Sequence, residues 1–182
     1  MEIEQTGLKD CIIIKPRVFD DPRGYFFESF NKQTFEEKTG LSGDFVQDNQ
    51  SFSSYGVIRG LHAQTGAFAQ AKLVRVTKGE VLDVAVDVRP GSPTYGKHVA
   101  VRLSAENKLQ LYIPRGFVHG FSVLSETAEF LYKCDNFFNK ASETGVIYND
   151  ADLNIDWLIP ADQVSVSDKD LLLKPFAELH HG

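Results

Sequence analysis

The sequence predicts an all-β fold, a sandwich or barrel with a few short helices, and three observations lead there. Apolar residues recur with a period of two over most of the chain beyond Phe45, the spacing that sends alternate side chains to opposite faces of a strand. Fourteen Phe and six Tyr are a heavy aromatic load for 182 residues, and aromatic side chains favour strands over helices. Short apolar runs are separated at even spacing by turns containing Gly and Asn, the rhythm of sandwiches and barrels. No internal repeat, low-complexity tract or Ser/Gly linker divides the chain, so residues 1–182 read as one domain with a sizeable core.

The first element is an edge-like strand in "CIIIKPRVF", ended by the turn "DDPRG". "YFFESFN" follows as a second, aromatic strand. Asn31 then caps a short helix, "KQTFEEKT", since its side-chain oxygen can accept from an orphan N–H of the first turn. Gly40 closes that helix because glycine enters the left-handed region without a Cβ penalty. "VRVTKGEVLDV" reads as a hairpin turning at Lys78-Gly79. In "EVLDVAVDVR" the residues Leu82, Val84, Val86 and Val88 form an apolar face, with Asp83, Asp87 and Arg89 on the other. That second face fits either solvent or a ligand cavity inside a barrel. "HVAVRL", "LQLYIP" and "AEFLYKC" are further strands, separated by the turns "SAENK" and "LSET". The C-terminal "NDADLNIDWLIPADQVSVSDKDLLLKP" is loop-rich with one short helix, and is expected to pack across a mouth of the barrel.

Charge and cysteine usage narrow the function. A net charge of −6 argues against a general nucleic-acid binder but leaves room for a local basic pocket holding one small anion. Cys11 and Cys134 are far apart and form no CxxC, which fits two buried free thiols in a reducing compartment. The apolar run Cys11 to Ile14 is far too short for a signal or a membrane span, so a cytoplasmic protein without membrane contact is expected.

Several residues carry possible chemistry. His62 stands in "RGLHAQ" and His119 in the turn "PRGFVHGF". Small metal-binding barrels with such a turn usually supply a His-x-His pair, but here Gln64 occupies the second position, so no bound metal is expected. Without a metal both histidines are available for proton transfer near neutrality. Asp170, in "SDKD", could orient His62, although sequence alone leaves open whether they meet. Lys72, Arg59, Arg23 and Lys169 supply positive charge for phosphates or an enolate oxygen, and Tyr132 could return a proton. Each alone also fits a plain structural role: a half-buried or turn histidine, a surface lysine, a core tyrosine.

The joint pattern is more specific. "VFDDPRGYFFESFN", "FVQDNQS", "VIRGLHAQ", "AKLVRVTKGEVLDVAVDVRPGSPTYG", "LSAENKLQLYIPRGFVHGFSVLSETAEFLYK" and "SDKD" follow one another in order. Together they closely resemble the dTDP-4-dehydrorhamnose 3,5-epimerases of the cupin superfamily, from about Leu8 to about Pro175. The resemblance implies a jelly-roll fold, a homodimer with exchanged N-terminal strands, and catalysis without metal or organic cofactor. It implies inversion of C3 and C5 of dTDP-4-dehydro-6-deoxy-glucose, both α to the C4 ketone, in dTDP-rhamnose synthesis for O-antigen and other surface polysaccharides.

Carried over by motif, His62 is the implied base with Asp170 as its orienting partner, Tyr132 the acid, and Lys72 the cation beside the C4 oxygen. Arg23, Glu28, Gln47, Asn49, Arg59, His119, Glu143 and Lys169 fall on implied substrate-contacting positions, with Asp48 between two of them. Phe26 is implied to pack on the nucleotide base from the partner subunit. The chain departs from the family pattern at Ala63, Gln50, Arg115, Phe137 and Phe138, positions suited to tuning nucleotide choice or the number of carbons inverted. A mono-epimerase, a 3,4-ketoisomerase and a non-catalytic sugar-nucleotide binding barrel are the alternatives.

Overall fold

The computed structural model describes residues 1–179; residues 180–182 of the expected single domain lie outside the described residues. In chain order the first elements are β1 (Glu2–Gln5), β2 (Ile12–Lys15), β3 (Phe19–Asp21), β4 (Gly24–Phe26), α1 (Lys32–Thr39), β5 (Gln47–Ser54) and β6 (Val57–Gln64). Then come β7 (Lys72–Lys78), β8 (Glu80–Asp87), β9 (His98–Ser104), β10 (Gln110–Ile113), β11 (Phe117–Val123) and β12 (Thr127–Cys134). The chain finishes with β13 (Glu143–Gly145), β14 (Ser165–Val166) and α2 (Asp168–Leu171).

Two facing sheets build a jelly-roll sandwich. The first has the order β1-β2-β10-β7-β12-β5, and the second β13-β6-β11-β8-β9 with β14 parallel to β6. The pair β3–β4 stands apart as a separate two-stranded sheet.

Strand alternation divides the apolar residues among three layers. Val74, Val76, Val81, Ala85, Phe121 and Phe130 meet between the sheets. Leu82, Val84, Val86 and Val118 point the other way and are covered by Leu153, Trp157, Val164 and Val166 of the C-terminal stretch. On the outer side of the first sheet, Ile12, Ile14, Leu73 and Tyr112 receive Phe35 of α1. Burial of that one ring contributes about 1.5–3 kcal/mol. The helix forms where the caps place it: Asn31 Oδ1 accepts from the Thr34 N–H at 3.1 Å, and Gly40 takes φ 70°.

Four expectations need correction. Strand β1, outside the expected elements, pairs with β2, so the "CIIIKPRVF" strand lies between β1 and β10 instead of at an edge. The stretch after Gly24 gives only the short, exposed β4 where a longer aromatic strand is expected. Lys78-Gly79 is no hairpin turn: β7 belongs to the first sheet and β8 to the second, so this turn is the corner where the chain changes sheets. Finally, the C-terminal stretch lies across the outer face of the second sheet, and only α2 turns toward the barrel opening. Both faces of β8 are therefore buried, with Asp83 and Asp87 fully enclosed.

Candidate active site

The site is organised by an irregularity in β6. His119 of β11 pairs with His62, and Phe121, two residues on, pairs with Arg59, three residues back, so β6 carries one extra residue at Gly60–Leu61. The bulge lets Arg59 and His62 both face inward although an odd spacing separates them. Glycine is required there: a Cβ on Gly60, at φ +121°, would lie 2.6 Å from Gly120 Cα and 2.7 Å from His119 O.

Asp170 reaches this strand from α2. Its amide donates to Ser167 Oγ at 3.2 Å, and its carboxylate bonds His62 Nε2 through Oδ1 at 2.7 Å. The Gly60 N–H donates to the other oxygen, Oδ2, at 3.2 Å. Burial opposes ionisation of Asp170, but the His62 bond and charge, the Gly60 amide and Lys169 outweigh it and hold the carboxyl below the usual range.

The facing sheet supplies Lys72 at the start of β7 and Tyr132 on β12, with the Lys72 Nζ 5.8 Å from the tyrosine ring centroid. Burial lowers the Lys72 pKa against the pull of Cys134, Asp83 and Glu143. Burial also raises the Tyr132 pKa, keeping the phenol protonated through the neutral range. His119 is lowered by burial despite its bond to Asp83.

These groups line one cavity of about 380 Å³ that takes in Asn49, Arg59, His62, Lys72, His119, Tyr132, Lys169 and Asp170. Arg59 Nε–H donates to Ser53 Oγ at 3.0 Å, which aims its guanidinium along the cavity wall. A contiguous recess of about 100 Å³ shares His62, Lys72 and Tyr132, and adds Gln47, Glu143, Ala63 and Phe138. Glu143 Oε1 accepts from Lys169 Nζ at 2.6 Å.

Four of the expected substrate contacts are not brought into this cavity. Asp48 points to the outer face of β5, where Lys133 Nζ pairs with it at 2.9 Å. Arg23, 90% exposed, is held by Asp21 in the β3–β4 turn, and Phe26 on β4 is 66% exposed. Glu28 accepts from Asn31 Nδ2 at 3.1 Å and lines a separate groove with Arg17 and Phe19.

Sequence reasoning also missed two roles. Gln64 Oε1 accepts from the Asn139 N–H at 2.8 Å and so pins the loop carrying Phe137 and Phe138. Asp83 sits beneath His119; the available signal was a carboxylate in the middle of a valine-rich strand. Among the described residues no group of three or more His, Cys, Asp or Glu could hold a metal ion, and no helix is long and apolar enough to cross a membrane.

Comparison with known proteins adds independent information. A family profile described as dTDP-4-dehydrorhamnose 3,5-epimerase matches residues 5–178. The Pseudomonas aeruginosa dTDP-4-dehydrorhamnose 3,5-epimerase is 53% identical, over 98% of this chain and 97% of that one. The crystal structure of the Elizabethkingia anophelis enzyme of the same name superposes with a TM-score of 0.95 at 60% identity, over 98% of this chain and 97% of that one. A Legionella pneumophila dTDP-6-deoxy-D-glucose-3,5-epimerase, solved with dTDP-4-keto-L-rhamnose, gives 0.94 at 47% identity, over 98% and 94%.

Proposed function

The chain belongs to the dTDP-4-dehydrorhamnose 3,5-epimerase family, and from that premise we propose how its own residues invert C3 and C5 of dTDP-4-dehydro-6-deoxy-glucose. It is an isomerase acting on a dTDP-sugar. The observation carrying the mechanism is that the imidazole and the phenol come from opposite walls: His62 from β6 of one sheet, Tyr132 from β12 of the other.

A proton α to a ketone becomes removable when charge on the ketone oxygen is stabilised. His62, with Nε2 bonded to Asp170, presents Nδ1 as the base. Lys72 supports the enolate oxygen at C4 from the facing sheet. Tyr132, kept protonated by burial, delivers a proton to the opposite face of the sugar, and the configuration inverts. Arg59 and Lys169 at the rim hold the diphosphate, with Gln47, Asn49, His119 and Glu143 around the sugar nucleotide.

The working unit in this reading is a homodimer with exchanged N-terminal strands. Phe19, Tyr25 and Phe26 are large exposed aromatics on a sheet that stands outside the sandwich. In the dimer that hairpin brings Arg23, Phe26 and Glu28 to the partner's cavity. Mixing an H62N chain with an R23A/F26A double variant then restores activity, because one hybrid site is intact. The reaction belongs in the cytoplasm and supplies dTDP-rhamnose for surface polysaccharide.

The decisive experiment incubates the protein with dTDP-4-dehydro-6-deoxy-glucose in deuterium oxide and follows C3 and C5 by NMR. Label at both carbons is expected. Label at one carbon identifies a mono-epimerase, a ketone moved to C3 identifies a ketoisomerase, and no label at either position sinks the reading.

A further inference from the structure

Asp83 is a carboxylate where the strand pattern asks for valine, fully buried between Leu82 and Val84. It is excluded from the cavity lining and takes no part in the proton transfers above. On the β8–β11 ladder it opposes Phe121, while His119 opposes Ala85, so Asp83 and His119 are diagonal neighbours on the inner face. Asp83 Oδ2 lies 2.9 Å from His119 Nε2, and Oδ1 is buried without a hydrogen-bond partner among the described residues. Burying an uncompensated carboxylate oxygen is costly, which makes a plain packing role a poor account of the residue.

The ring it touches is fixed in every other respect. His119 stacks on Phe130 with centroids 6.0 Å apart and planes 26° from parallel. Its Nδ1 makes no hydrogen bond to the described residues, yet it is absent from the buried atoms that lack a partner. That nitrogen is therefore open, and the space His119 borders is the cavity.

We propose that Asp83 is a positioning residue that holds the His119 proton on Nε2, so that Nδ1 faces the cavity as an acceptor for a hydroxyl of the bound sugar. An ionised carboxylate can only accept, so Nε2 must donate the shared proton, which selects the Nε2–H tautomer of the neutral ring. Burial lowers the His119 pKa, which keeps the ring neutral and Nδ1 unprotonated. A neutral acceptor pairs with a hydroxyl and not with the ketone oxygen, so His119 and Lys72 read different groups on one sugar ring. The Asp83 charge also favours the cationic form of Lys72, against burial. The assignment of the hydroxyl rests on the dTDP-sugar reading; the assignment of the tautomer does not.

Long-range proton–nitrogen NMR of the full-length protein labelled with ¹⁵N-histidine reads the tautomer directly, without turnover. The expected result is a protonated Nε2 and a bare Nδ1 on His119, with the Nδ1 resonance moving when the substrate is bound to an H62N chain. Asp83→Asn can donate to Nε2 and should populate the Nδ1–H form, lowering kcat/KM about 10- to 100-fold, the loss of one hydrogen bond to a charged group expressed as a rate ratio. The loss should fall mainly on KM, since a contact to a non-reacting hydroxyl is made equally in ground and transition states. A wild-type His119 carrying its proton on Nδ1 overturns the proposal, as does a folded D83N enzyme within threefold of wild-type kcat/KM. Should D83N fail to fold, the wild-type spectrum decides: Nδ1–H refutes, and Nε2–H with a ligand-shifted Nδ1 supports. Failure of solvent exchange at C3 and C5 is a separate result that strikes the epimerase reading alone.

Discussion

Replacing Asp170 by Asn changes one charge and one hydrogen-bond direction while leaving shape nearly constant. In the wild type, a 2.7 Å bond from His62 Nε2 to an ionised, 4%-exposed carboxylate stabilises the imidazolium formed when the α-proton is taken. A hydrogen bond to a charged partner contributes about 1.5–3 kcal/mol and a neutral one about 0.5–1.5, so the lost increment is about 1–1.5 kcal/mol. The Asn amide can in addition donate to Nε2, moving the proton to Nδ1 and blocking the basic nitrogen. Inverting that tautomer preference costs a further ~0.5–1.5 kcal/mol, on the scale of one neutral hydrogen bond. At about 1.4 kcal/mol per tenfold, the sum is a fall in kcat of about 10- to 150-fold. Because the bond matters most once positive charge develops on the ring, kcat should fall more than KM rises. The assay is the initial rate of deuterium entry at C3 and C5, with circular dichroism confirming the fold. A folded D170N enzyme turning over within threefold of wild type would refute the assignment of His62 as base oriented by Asp170.

Other perturbations test the remaining parts. Tyr132→Phe should still wash deuterium into the substrate through His62, but inversion should drop about 10²–10⁴-fold; inversion at the wild-type rate would exclude the phenol as acid. Lys72→Met should lower kcat about 10²–10³-fold. Since burial depresses the Lys72 pKa, the wild-type rate should decline on the alkaline side below the ordinary lysine range, as deprotonation removes the cation; a pH–rate profile flat up to that range would contradict this. Asp87, fully buried, accepts from Arg89, Ser92 and Thr94. Burial pushes its pKa up, but those bonds outweigh it and leave the folded carboxyl far below its ordinary value. Its stabilisation is thus present above the ordinary carboxylate range and lost as pH falls through the depressed folded value. Asp87→Asn should cost about 3 kcal/mol, the low end for a broken buried pair because Arg89 is partly solvated, and roughly 6–12 °C in Tm at neutral pH. The gap to wild type should close in acid; a gap that persists there would show that charge is not the cause.

The α1 helix was readable to the residue, because Asn31 and Gly40 are local signals and no distant contact is needed to interpret them. The strands of the second half were readable for the same reason, since alternation is written into each segment. What period two cannot report is which sheet the next strand joins, and Lys78-Gly79 was misread on that account. Strand β1 was invisible because "EIEQ" is polar and acquires its conformation from pairing with β2. The His62–Asp170 pair spans 108 positions, so residue chemistry could suggest the pairing but not that the two side chains meet. Alternation showed that Asp83 opposes the apolar face of its strand, but not that this side is sealed inside the sandwich against His119.

The extra residue in β6 carries a consequence for how this site can vary. Deleting one residue between Arg59 and His62 would leave them two apart, so simple alternation would still turn both inward, but the strand would lose the bulge whose Gly60 N–H donates to Asp170 Oδ2. Substitution at either end changes one contact, whereas a deletion between them removes a backbone partner of the carboxylate that orients His62. The extra residue thus ties the strand to α2, and it is kept or lost together with the His62–Asp170 pair.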